Sequence, residues 1–91
     1  MTKRYELDCH DSRKRFYKKA IVIEEDGVKY LQSYQTIVAM IDGGILYKFW
    51  DNYSWTTMRH INSFLIEFGL PTMSKKEWLD YPTSRREDMV A

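Results

Sequence analysis

One cysteine, Cys9, among 91 residues excludes an internal disulfide and fits a reducing compartment. Prolines number two and glycines four, and no stretch is low in complexity or repeated. No apolar run approaches the ~20 residues that span a bilayer. The charged start of the chain lacks the apolar centre of a signal peptide, so the expected location is the cytoplasm. Catalytic spacing is also scarce. There is no C-x-x-C, no H-x-x-x-H and no paired carboxylates. Two histidines and one cysteine are too few for a zinc site, and Cys9, His10 and Asp11 are merely consecutive. Ser54 and His60 lack the strand–turn–helix elbow of a hydrolase nucleophile. The expectation is a protein that is not an enzyme and carries no cofactor or metal.

What the chain has in quantity is aromatic surface. Three Trp, seven Tyr and four Phe make up 15% of the residues. A short chain buries a modest fraction of its surface, and large rings let a small core suffice. The net charge of +1 points to no partner, but its distribution is uneven. Lys3 to Lys19 holds seven basic and three acidic residues. Such a segment meets nucleic acid or an acidic protein surface, or simply keeps a strand edge solvated.

The order of signals predicts one α+β domain over residues 1–82 and a flexible tail over 83–91. Residues 3–9 read as a weak strand or an ordered arm. Ala20-Ile21-Val22-Ile23 is β-branched, and Asp26-Gly27 suits a tight hairpin turn into Val28–Tyr34. Ile37 to Ile41 is a third strand or a continuation after a bend. Gly43-Gly44 turns the chain into Ile45–Trp50. This is an antiparallel meander of three or four strands. Two helices follow and pack on the sheet.

The first helix begins near Ser54 or Thr56. Met58, Ile61, Phe64, Leu65 and Phe68 recur at helical spacing, and Gly69 and Pro71 stop it. Ser74-Lys75-Lys76-Glu77 is a capping box that opens a short helix carrying Trp78, closed by Pro82.

The densest chemistry lies at the start of the first helix. Ser54, Thr56, Thr57 and His60, with Arg59 beside them, either cap the helix or hold an anion at its positive pole. Tyr53 and Trp55 fall outside the buried stripe, as do Arg59 and Asn62, which makes the four candidates for contact with a partner. A second candidate surface is Arg13, Lys14, Arg15, Tyr17 and Lys18, basic residues interleaved with aromatics. That pattern suits an acidic groove or a phosphate backbone.

Three stretches carry a resemblance: S-Y-Q-T-I-V-A-M-I from Ser33, W-D-N-Y-S-W-T-T-M-R-H-I-N-S-F-L from Trp50, and S-K-K-E-W from Ser74. With R-K-R-F-Y-K-K-A from Arg13, they resemble a family of small proteins without an assigned activity, encoded by bacteriophages and mobile elements of Gram-positive bacteria. The resemblance implies an accessory protein that binds a host or phage protein, in the manner of inhibitors of bacterial defence such as anti-CRISPR proteins. The alternative is a nucleic-acid-binding accessory protein. A third is a homodimer assembled through an exposed strand edge.

Overall fold

The computed structural model describes residues 2–10, 16 and 19–84. Five strands run in chain order across one antiparallel sheet: β1 (Thr2–Glu6), β2 (Ala20–Glu25), β3 (Val28–Ser33), β4 (Thr36–Asp42) and β5 (Ile45–Lys48). Helices α1 (Trp55–Glu67) and α2 (Lys75–Asp80) follow. The class is the expected α+β, but with five strands in place of three or four. Two local causes hid the extra ones. All five β1 residues are exposed, so β1 has no apolar alternation to read. The β3–β4 hairpin turns at Tyr34, which adopts a left-handed φ of 57° without a glycine to signal it.

Register divides the side chains between two faces, because directly paired residues point the same way. Tyr5, Val22, Leu31, Ala39 and Lys48 form one row across the inner face. Arg4, Ile23, Tyr30, Met40 and Tyr47 form the neighbouring row on the outer face. A bulge opposite Leu31 and Gln32 inserts Val38 into β4.

The core lies on the inner face. Val22, Leu31, Ala39, Ile41 and Leu46 of the sheet meet Met58, Ile61, Phe64 and Leu65 of α1. Leu7 and Phe16 complete one end of this cluster and Trp78 of α2 the other. The α1 stripe is thus the core stripe expected from its spacing. Helix α1 ends in a Schellman motif: the Gly69 N–H donates to the Ile66 carbonyl at 3.2 Å and the Leu70 N–H to that of Leu65 at 2.8 Å. Gly69 has the left-handed φ of 77° that this ending requires.

The capping box of α2 is complete. Ser74 Oγ accepts from the Glu77 N–H at 3.2 Å, and Glu77 Oε1 accepts from the Ser74 N–H at 2.8 Å. After α2 the chain returns to β5, where Thr83 bridges Lys48 in parallel and the Ser84 N–H donates to the Lys48 carbonyl at 2.6 Å. Residues 85–91 of the expected tail lie outside the described residues. Neither helix is long and apolar enough to cross a membrane.

Candidate functional site

Helix α1 is capped by Ser54, whose backbone is extended and whose Oγ accepts the Thr57 N–H at 3.0 Å. That cap sets the helical phase of everything after it. Thr57 and His60, three residues apart, both point inward. Thr57 Oγ1 lies 3.1 Å from Ser33 Oγ, and Ser33 Oγ lies 2.7 Å from His60 Nδ1. Ser54 is therefore occupied as a cap, and Thr57 and His60 belong to an interior network with Ser33 at the end of β3. Thr56, half-buried, is the remaining hydroxyl at this pole.

His60 is 1% exposed. Its ring stands edge-on to Phe16, centroids 4.5 Å apart, and under Tyr34 at 5.7 Å. Burial first, then the positive charges of Arg59 and Lys19, push its pKa down from 6.5 to about 4. It is neutral at physiological pH, and its Nε2 has no hydrogen-bond partner among the described residues. The Ser33–His60 contact has the distance of a nucleophile–base pair, but Ser33 is only 3% exposed. Among the described residues no three His, Cys, Asp or Glu side chains converge as a metal site would require.

One turn around the helix the picture changes. Tyr53, Trp55, Arg59 and Asn62 line one open groove of about 230 Å³, floored by Met58, Ile66 and Met73 and bounded by Lys75. Trp55 is 55% exposed. The Arg59 guanidinium sits between rings, 5.7 Å from the centroid of Trp55 and 5.0 Å from that of Phe16, and donates to Cys9 Sγ at 3.4 Å. Lys75 Nζ stands 4.7 Å over Tyr53. Asn62 has a different task. Its side-chain amide donates to the Met73 carbonyl at 3.0 Å and its Oδ1 accepts the Met73 N–H at 2.8 Å. It clamps the far wall of the groove to α1.

The four residues chosen because they fall outside the core stripe thus share one concavity. Met73 and Lys75 were not among them. Their arrival depends on the turn after Gly69, which folds residues 70–74 back along α1. Arg13, Lys14, Arg15, Tyr17 and Lys18 lie outside the described residues. Phe16, within that segment, is buried in the core beside His60.

The groove, its clamp and its capped helix all lie within one continuous match. The chain belongs to a family of unknown function, DUF8033. The family model matches residues 5–80, which run from the last two residues of β1 to the end of α2. No curated protein and no solved structure matches the chain. The family thus covers the fold and groove together and assigns neither an activity.

The polar face of α1 beside the groove is also occupied. The backbone N–H of His10 donates to Ser63 Oγ at 3.1 Å, and His10 Nε2 lies 2.7 Å from Glu67 Oε1. Ser63, which the helical pattern sets on the solvent side, is buried beneath this N-terminal segment.

Proposed function

We propose that this protein is a non-catalytic binding module that seats an acidic segment of a partner protein in the Trp55 groove. The observation that carries the reading is the groove's lining. Among the described residues its lining holds two cations, Arg59 and Lys75, two half-open rings, Tyr53 and Trp55, an apolar floor and no carboxylate. An exposed tryptophan beside an arginine is the usual make-up of an interface anchor. A carboxylate from the partner pairs with Lys75 at the rim, while an apolar neighbour fills the Met58–Met73 floor. The burial of Ser33 and His60 supports a role in binding rather than catalysis.

The resemblance to phage and mobile-element proteins extends the proposal. The partner is a host or phage protein, and the module blocks a bacterial defence system by occupying it. The cell interior is where such a partner is met.

Recovery of a partner from host lysate by the wild type, and its loss with Trp55→Ala at an unchanged melting temperature, supports this reading. Equal recovery by both proteins overturns it. A labelled oligonucleotide tests the nucleic-acid alternative. A shift that weakens steeply with salt and vanishes in Trp55→Ala assigns the groove to a phosphate backbone instead.

A further inference from the structure

One wall of the Trp55 groove is a single face of α1. Trp55, Arg59, Asn62 and Ile66 follow one another at spacings of four, three and four residues, and all four line the groove. That alternation of four and three is the seam by which one helix packs along another. From Trp55 to Ile66 the seam rises about 16 Å, three turns of helix. Its two ends are exposed, Trp55 at 55% and Ile66 at 45%.

The groove offers little to an extended chain. A bound strand draws its affinity from the unpaired main-chain groups of a sheet edge. Neither edge strand, β1 or β5, lines this groove. On the wall facing α1, the N–H and the C=O of Met73 are both taken by the Asn62 amide. From Met58 onward the α1 N–H groups bond within the helix, beginning with Met58 to the Ser54 carbonyl at 2.9 Å. A helix satisfies its own main chain and needs only side-chain contacts.

Charge is graded along the same line. Lys75 Nζ stands 4.7 Å over the Tyr53 ring, at the Trp55 end of the seam. The first turn of α1 carries no acidic residue, so the positive pole of the helix adds to that cation. Among the described lining residues, none beyond Arg59 toward Ile66 is charged.

We propose, resting on the reading of this groove as a binding site, that its occupant is an amphipathic helix of the partner protein, about three turns long. Its apolar residues recur at i, i+3 or i+4 and i+7, and an acidic residue stands at one end of that stripe. The apolar side chains drop between Trp55 and Ile66 onto Met58 and Met73, whose unbranched side chains adapt to what enters. The carboxylate meets Lys75.

The probe is a displayed library of random peptides of about 16 residues, four to five helical turns, selected against the full chain. Retained peptides are expected to repeat apolar residues at helical spacing, with Asp or Glu at one end. Proline at a central position between the anchors is expected to weaken them by about tenfold or more. Trp55→Ala and Ile66→Glu, both at exposed positions, are expected to weaken them similarly at an unchanged melting temperature. Peptides that alternate apolar and polar residues, or that tolerate the proline, overturn the helix and leave the groove itself standing. Loss with Trp55→Ala but not with Ile66→Glu overturns the three-turn seam in the same way. Retaining no peptide, or only peptides that bind Trp55→Ala as tightly as wild type, overturns the groove and the helix together.

Discussion

Lys48 Nζ lies 2.7 Å from the carbonyl oxygen of Trp78, and the ammonium stands 5.1 Å over the Trp78 ring. The lysine is fully buried. It also donates to the Tyr81 carbonyl at 3.0 Å, and Asp51 Oδ1 lies 3.4 Å away. A cation thus closes the C-terminal end of α2, where the helix dipole is negative and carbonyls lack partners. The same end is fastened twice more. The Trp78 indole N–H donates to the Asn52 carbonyl at 3.0 Å and the Tyr81 hydroxyl to the Leu46 carbonyl at 2.6 Å.

Lys48→Met removes the donor and strands those carbonyls in the interior. The expected loss is about 2–4 kcal/mol in urea unfolding. Lys76→Ala, which breaks an exposed pair with Asp80, is expected to change stability by less than about 0.5 kcal/mol. A Lys48→Met loss no larger than that of Lys76→Ala would contradict the role given to the buried ammonium.

His60 makes stability depend on pH. Its pKa in the folded chain is about 4, below the 6.5 of an unfolded histidine. Between those values the unfolded chain binds the extra proton, so stability is complete above pH 6.5 and falls as pH drops toward 4. The amplitude is up to about 3 kcal/mol. Denaturant midpoints measured at pH 7.5 and 4.5 give the slope, and His60→Gln is expected to flatten it. The cations facing the ring, Arg59 and Lys19, add to the effect.

Tyr34 holds a left-handed backbone that costs a residue with a Cβ about 1–2 kcal/mol and costs glycine almost nothing. Its ring, however, packs on His60. Tyr34→Ala loses the ring and keeps the strain. Tyr34→Gly loses both. The glycine variant is expected to be more stable than the alanine variant by about 1 kcal/mol in thermal unfolding, and the reverse order would remove the argument for strain at this turn.

Ser54 and Asn62 separate capping from groove construction. Ser54→Ala is expected to cost about 1 kcal/mol and leave the shape of the groove intact. Asn62→Ala removes both bonds to Met73 and is expected to cost about 1–3 kcal/mol. It should also raise amide hydrogen exchange at Met73, a local readout that the cap variant should not move.

Much of this architecture is legible in the residues one after another. Met58, Ile61, Phe64 and Leu65 repeat with the helical period, and Ser74 with Glu77 is a reciprocal cap within four residues. Asp26-Gly27 is a turn whose geometry its own residues specify. These features depend on near neighbours in the chain, so a linear reading reaches them. The exclusion of Tyr53, Trp55, Arg59 and Asn62 from the core stripe follows from the same periodicity.

Folding decided the rest because the partners are distant in sequence. Lys48 reads as a polar residue in an aromatic strand; it is buried because carbonyls 30 and 33 residues further along the chain meet it there. Ser33 and His60, 27 residues apart, become one network only when α1 crosses the end of β3. Met73 and Lys75 join Trp55 through the fold-back after Gly69. Alternation along the strands predicts two faces of the sheet but not which elements cover them, since coverage is set by where the helices dock. By itself the sequence determined an α+β chain with a capped amphipathic helix and four side chains left outside its core. Tertiary packing decided that those four share a groove, that a lysine lies in the interior, and that an apolar sheet face stays uncovered by either helix.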